Sequence, residues 1–342
     1  MKGRAKTFSK EQITNVAHSW IARNPVPTRM STNWGESLLM YGMLTAARTL
    51  QDEKIEDYVK TWFIHHLNEG IPTTYYCGSW GPGLLFPEIA ESVPWQSVDV
   101  YAERLFLHIR DKALRNGLGI ILHNLDLPDI FVDTVYYSTP VIAKLGTFLK
   151  REWTNDALLQ LYGHAAVLQD PQSFLFIHAE ENLSGLRSEG YWARGNGWIA
   201  MTCAELLPLL PREYEFYKKF ESFYKQLSVA IVHKQSPGGM WRTIMEDATS
   251  YEETSATAMF LFGLQRGKKL AAFSEMIETS IGKAVGALEK KVDSEGKVID
   301  VSGGTLPNKA SVYKALPTGE YTWGTGAWLL AACESINKNE HP

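Results

Sequence analysis

Six short segments of the chain repeat one theme, an aromatic, glycine or acidic opening that runs at once into an apolar stretch of helical character. Trp34-Gly35-Glu36 precedes SLLMYGML, Trp80-Gly81-Pro82-Gly83 precedes LLFPEIA, and Asp133-Thr134 precedes VYYSTPVIAKLG. Further on, Gly195-Asn196-Gly197-Trp198, Glu252-Glu253-Thr254 and Trp323-Gly324-Thr325-Gly326 introduce three more runs. Openings spaced roughly 50 to 60 residues apart leave room for a second helix in each interval, so the repeating unit is a helical hairpin. Six hairpins closed into a ring give a toroid of inner and outer helices. The openings then gather at one end as an aromatic, glycine-lined pit with a few carboxylates, a setting that suits a sugar.

The punctuation supports this reading. Ser9 with Gln12 forms a capping-box pattern before Ile13, Val16, Ala17, Trp20 and Ile21, and Ser250 with Glu253 repeats it before Ala256, Met259 and Phe260. Outer helices are expected at about 54–68, 96–115, 151–169, 212–234 and 272–291. Strand signals are confined to Gly117–Leu127, Ser173–Ile177 and Lys297–Val301, each a short candidate within a long loop. No βαβ alternation and no GxGxxG after a strand are present, which disfavours a dinucleotide fold. The expectation is one all-α domain over residues 1–342, with short β segments in its loops.

Several function classes drop out. A net charge of -4 with both signs dispersed offers no footprint for nucleic acid. No apolar stretch approaches 18 residues, so no membrane span is expected. The three cysteines, Cys77, Cys203 and Cys333, have neither metal-ligand spacing nor the even count of a disulfide framework. The first residues lack the apolar core of a secretory signal, and the expected compartment is the cytoplasm. No cluster has zinc spacing, so neither metal nor cofactor is expected. A GxSxG nucleophile elbow is also missing.

The densest local signal is Tyr191-Trp192-Ala193-Arg194-Gly195-Asn196-Gly197-Trp198. Two indoles and a guanidinium on a glycine-bearing turn offer stacking faces beside a bidentate anion donor, and glycine admits a ligand close to the backbone. The plainer alternative is that the indoles plug the ring and Arg194 pairs with a structural carboxylate. Asp133 lies in the apolar string Ile130 to Tyr137, where burial should raise its pKa and suit it to general-acid work. It could equally cap the helix that follows. His123 and His178 are candidate pit residues, and His65-His66 reads as surface.

These residues resemble a known family. Trp192 to Trp198 is similar to the W-x-R-(G/A)-x-G-W signature of glycoside hydrolase family 105, the unsaturated rhamnogalacturonyl hydrolases. Val132-Asp133-Thr134-Val135-Tyr136 resembles that family's catalytic-aspartate segment. Ser236 to Trp241, Tyr251 to Met259 and Gly324 to Trp328 resemble its later stretches, in the same order. The resemblance implies an (α/α)6 barrel acting on a lyase product, a sugar ending in a 4,5-unsaturated uronic acid. It implies that Asp133 protonates C4 and then helps a water attack C5, and that Trp192, Arg194, Trp198, His178 and His123 line the sugar pocket. Two departures accompany it. The loop Tyr75 to Gly83 carries no acid where the family usually has a second aspartate, and Trp34 stands where a tyrosine is usual. An unsaturated glucuronyl hydrolase acting on another polysaccharide, an ordinary inverting glycosidase pairing Asp133 with Glu36 or Glu253, and a non-catalytic glycan-binding toroid are the rival readings.

Overall fold

The protein is described by a computed structural model over residues 7–70, 74–93, 98–268 and 275–337. Residues 1–6 and the opening residues of the helices expected at 96–115 and 272–291 lie outside these. Thirteen α-helices account for most of the described residues. In chain order the first five are α1 (Lys10–Arg23), α2 (Trp34–Leu50), α3 (Glu53–Glu69), α4 (Phe86–Ile89) and α5 (Val98–Lys112). Next come α6 (Val132–Leu149), α7 (Thr154–Leu168), α8 (Ala193–Leu206) and α9 (Tyr217–Val232). The last are α10 (Thr254–Gly267), α11 (Glu275–Leu288), α12 (Ala310–Lys314) and α13 (Thr322–Asn337).

The two sets of helices differ in how much they bury. Every residue of α8 is buried, as are nearly all of α10 and the first fifteen of α6. A helix apolar or buried on all sides belongs in the interior. By contrast α3 buries one stripe, Ile55, Tyr58, Val59, Trp62, Phe63 and Leu67, and α9 buries Phe220, Tyr224, Leu227 and Ile231. The buried helices pack in a cycle. α2 meets α13, α13 meets α10, α10 meets α8 and α8 meets α6, while a 3-10 segment, Cys77–Leu84, joins α6 back to α2. Gly42 and Gly326 bring α2 and α13 together closely, since a Cβ on Gly42 would sit 2.6 Å from the Gly326 carbonyl oxygen.

Three sequence expectations are corrected. The second opening begins no α-helix: Pro82 and the glycines around it disfavour one, and the chain forms the 3-10 segment followed by the single turn α4. The expected strands are replaced by three antiparallel pairs of two residues each, two of which have one strand at an opening. These are β1 (Ile130–Phe131) with β2 (Ala179–Glu180), β3 (Trp241–Arg242) with β4 (Glu252–Glu253), and β5 (Val301–Ser302) with β6 (Thr318–Gly319). Gly117–Leu127 and Ser173–Ile177 contribute only isolated bridges at Ile121 and Phe176, and the third candidate supplies β5 from its last residue. Finally, Ser9 caps α1 as expected, but Glu253 rather than Ser250 caps α10, taking the Ser255 and Ala256 amides on its carboxylate.

The far end of the helix cycle is closed by ion pairs. Lys144, some 16 Å along α6 from Asp133 at 1.5 Å per residue, bonds Tyr41 Oη at 2.8 Å and Glu88 Oε1 at 2.7 Å. Glu205 sits between Lys144 and Arg266, at 3.3 Å from each, and Arg266 reaches Glu334 at 3.2 Å. A cavity of about 490 Å³ opens among these groups, away from the residues singled out in the sequence.

Candidate active site

Asp133 occupies the first turn of α6, and the capping position belongs to Phe131, which supplies no side-chain bond. The carboxylate is therefore not spent on its own helix. Its Oδ1 accepts a hydrogen bond from Trp198 Nε1 at 3.0 Å. His178 Nε2 lies 3.1 Å from Oδ2, as an ion-pair contact, and Oδ2 makes no well-directed hydrogen bond. Burial pushes the Asp133 pKa up, but His178 foremost, then His123 and Arg194, more than offset it, and the net shift is downward. The expected upward shift is thus reversed. The sequence showed the apolar string and hid the imidazoles and the guanidinium that the fold brings to it.

His178 precedes β2 and is buried between two rings. It stacks on Trp192 at 4.1 Å, meets the edge of Phe131 at 5.6 Å, and has Tyr313 Oη 2.9 Å from its Nδ1. His123 stacks on Phe131 at 4.2 Å and contacts Thr134 Oγ1 at 3.2 Å through Nδ1. Burial drives its pKa down to about 4, so it is neutral at physiological pH. Cys77, in the loop without an acid, has its Sγ 3.8 Å from the same Nδ1, and burial pushes the thiol up to about 12. Among the described residues no group of three or more His, Cys, Asp or Glu is arranged to hold a metal ion.

The signature run is placed differently from the simplest expectation. Trp192 and Trp198 are 2% and 0% exposed. They back His178 and Asp133 rather than offer open stacking faces. Arg194, 1% exposed, spends its fork on the loop after α11: Nη1 donates to Ser302 O at 2.9 Å and Oγ at 2.5 Å, and Nη2 to Gly303 O at 2.8 Å. Its plane lies 4.6 Å over Trp192 and 5.4 Å over Trp323. Neither the free anion donor nor the structural carboxylate describes it; the partners are two backbone carbonyls and a serine hydroxyl. Gly195 and Gly197 serve helix packing, since a Cβ on each would meet Val132 at 2.7 Å or Met259 at 2.9 Å.

Half-buried rings here include Trp34, Tyr76, Trp323 and Tyr321, the last stacked on Trp323 at 4.6 Å. Trp34 opens α2, stacks with Tyr137 at 5.8 Å, lies tilted against Trp323 at 4.7 Å, and meets Trp198 edge-on at 5.8 Å. Contacts thus join five of the openings, at 34, 133, 198, 253 and 323, the link to 253 running through Ser302, whose amide donates to Glu253 Oε1 at 2.9 Å. The sixth joins through Cys77 Sγ, 3.7 Å from Thr134 Oγ1. Glu253 also accepts from Ser255 and Ala256, leaving it no capacity as an acid/base partner. Glu36 is half-buried, its pKa raised by burial. His65-His66 is not simple surface, for His66 Nε2 contacts Met30 O at 2.7 Å.

Sequence reasoning missed Tyr137 and Tyr313 as site residues. Tyr137 follows Asp133 by four positions and so shares its helix face, a signal that was legible. Tyr313 arrives from a loop 135 residues beyond His178 and carried no signal at all.

This buried acid, flanked by histidines and roofed by indoles, is the arrangement of a carbohydrate-active enzyme, and similarity to known proteins makes the chain a glycoside hydrolase. It belongs to Glycosyl Hydrolase Family 88, whose profile matches residues 5–338. The unsaturated rhamnogalacturonyl hydrolase YesR of Bacillus subtilis (strain 168) is 30% identical over 336 residues, spanning 94% of each chain. An unsaturated 3S-rhamnoglycuronyl hydrolase of Formosa agariphila is 29% identical over 350 residues, covering 95% of this chain and 89% of its own. The crystal structure of a possible member of the GH105 family from Salmonella enterica serovar Paratyphi A superposes with a TM-score of 0.89 at 20% identity, covering 99% of this chain and 97% of that one. The family 105 expectation stands on these likenesses.

Among the described residues, no helix is long and apolar enough to cross a membrane. The thiols of Cys77, Cys203 and Cys333 are buried and unpaired.

Proposed function

We propose that this chain removes a 4,5-unsaturated uronic acid from the non-reducing end of a lyase-generated oligosaccharide, with a rhamnogalacturonan fragment as the first substrate to try. It does so as one (α/α)6-barrel unit in a reducing cytoplasm. The closed cycle of helix contacts supports the barrel, and the relatives' names and coverage support the substrate class. The free buried thiols are in keeping with the compartment.

The observation that carries the reaction type is the setting of Asp133. The neighbours that most oppose burial at its carboxylate are two histidines and an arginine, with no second carboxylate among them. Direct glycosidic hydrolysis needs a pair of carboxyl groups across the scissile bond. Hydration of an enol ether needs one group that gives a proton and takes one back. Asp133, protonated, delivers its proton to C4 while a water oxygen bonds to C5, and the water's proton returns to the carboxylate. The hemiketal formed at C5 opens by breaking its bond to the ring oxygen. The hemiacetal left at C1 then expels the partner sugar.

The lowered pKa fits the second half of this cycle directly. For the first half, the uronate's own negative charge beside Asp133 favours the protonated acid. Trp34, Trp323 and Tyr76 are the rings placed to meet the sugar, whereas Trp192 and Trp198 hold His178 and Asp133.

Incubation with a panel of lyase-generated unsaturated disaccharides tests the reading. Loss of the double-bond ultraviolet absorbance, with deuterium at C4 when the solvent is heavy water, is expected. Release of an intact unsaturated sugar carrying solvent oxygen at C1 would replace it with the ordinary glycosidase.

A further inference from the structure

Tyr313 lies in α12, on the long connection between β5 and the last helix, and is fully buried. With Trp192, Ile244 and Leu316 it forms a small apolar cluster separate from the main core, its ring stacked on Trp192 at 5.8 Å. That packing fixes the ring and delivers the hydroxyl to His178. The phenol oxygen accepts the Asn308 amide at 2.9 Å and lies 2.9 Å from His178 Nδ1. A carboxylate only accepts, so the ring nitrogen 3.1 Å from Asp133 Oδ2, His178 Nε2, is the one that carries a proton, and Nδ1 is left to accept the phenol hydroxyl. An imidazole that accepts at Nδ1 carries its proton at Nε2, the nitrogen facing Asp133.

We propose that Tyr313 is a positioning residue for Asp133, its hydroxyl holding His178 in the orientation and Nε2–H form that present a donor to the Asp133 carboxylate. The inference rests on Asp133 being the reacting acid, and it extends the site by a residue whose hydroxyl meets His178 rather than the acid itself. It makes the β5–α13 connection part of the catalytic apparatus. The same connection supplies Ser302 and Gly303 to Arg194. Tyr313 stacks on Trp192 and the Arg194 guanidinium lies over the same indole, so the loop reaches Trp192 through both. Without the phenol, the buried Nδ1 has no partner and the ring is free to turn away from Oδ2.

Tyr313→Phe keeps the stack on Trp192 and removes only the hydroxyl, whereas Tyr313→Leu removes both. If the role were structural alone, the Phe variant would match the native enzyme. The proposal expects kcat of the Phe variant to fall by about five- to tenfold, the scale of one hydrogen bond, with KM little changed. It also expects the acid limb of the kcat profile to move to higher pH, because Asp133 loses part of the interaction that opposes burial. His123, Arg194, Cys77, Tyr76 and Tyr137 also face Asp133; none is altered by the substitution. Imidazole nitrogen-15 shifts of His178 in the unmodified protein supply a readout independent of turnover and of whether the variants fold. A neutral ring protonated at Nε2 is expected, and protonation at Nδ1 would overturn the proposal. A Phe variant with native kcat and an unmoved pH profile would overturn it as well. If the protein proves inactive on unsaturated uronides, the nitrogen spectrum still decides the tautomer, so failure of the reaction assignment is distinguishable from failure of the positioning role.

Discussion

Asp133→Asn separates the reaction from the fold. Asparagine has the same shape, and its carbonyl oxygen keeps the bond that Trp198 Nε1 makes at 3.0 Å. Its amide nitrogen would face His178 Nε2, so the imidazole must shift its proton toward Tyr313 and one buried hydrogen bond is rearranged, costing about 1 kcal/mol. The proton that moves to C4 is lost altogether. General acid–base catalysis contributes about 10²–10⁴-fold, and a single group used in both steps belongs at the upper end. A 10⁴-fold fall in kcat corresponds to about 5.5 kcal/mol of barrier, several times the expected stability change. The assay is the rate of ultraviolet absorbance loss on an unsaturated disaccharide, with circular dichroism and thermal melting run on the same samples. Acid stability gives a second check. A carboxylate whose folded pKa is depressed contributes stability that is present above its unfolded value, near 3.9, and lost as pH falls through the lower folded value. The stability difference between native and Asn proteins is therefore expected at pH 7 and should shrink in strong acid. A folded Asn variant retaining a tenth or more of native kcat would end the assignment of Asp133 as the proton donor.

Three further outcomes are expected. Trp198→Phe removes the donor on Asp133 Oδ1 but keeps a ring against Tyr136; the Asp133 pKa should rise, moving the acid limb of kcat/KM to higher pH, and an unmoved limb would remove the indole from the machinery. Arg194→Lys keeps the charge and loses the planar fork on Ser302 and Gly303, so turnover should fall by about tenfold or more and thermal stability by about 1–3 kcal/mol; unchanged kinetics in a less stable protein would make Arg194 structural only. Lys144→Met leaves Glu88 without its cation and Glu205 with Arg266 alone at the far end of the helix cycle, costing about 3 kcal/mol in chemical denaturation, while KM stays native; a KM change would mean that the far end couples to the site.

The sequence by itself carried the repeat. Openings at 34, 133, 196, 252 and 323 fall within three residues of a helix start because an all-round apolar run after a polar or glycine break has few other conformations available. It also carried Asp133, whose neighbours Ile130 to Tyr137 made an unusual setting for an acid, and the run around Arg194. What it could not carry was the direction in which each side chain's interactions are spent. Arg194 looked like an anion donor until Ser302, 108 residues later, arrived to occupy its fork. Asp133 looked like a raised acid until His178 and Trp198, on other elements, reversed the shift. The two glycines after Arg194 looked like room for a ligand until Val132 and Met259 filled it. Periodicity is a local property, governed by backbone geometry and burial, and it is written into consecutive residues. Electrostatic environment and hydrogen-bond partnership act at a few ångströms across distant segments, and Tyr313 shows that a residue can be joined to the site with no mark in its own stretch of chain.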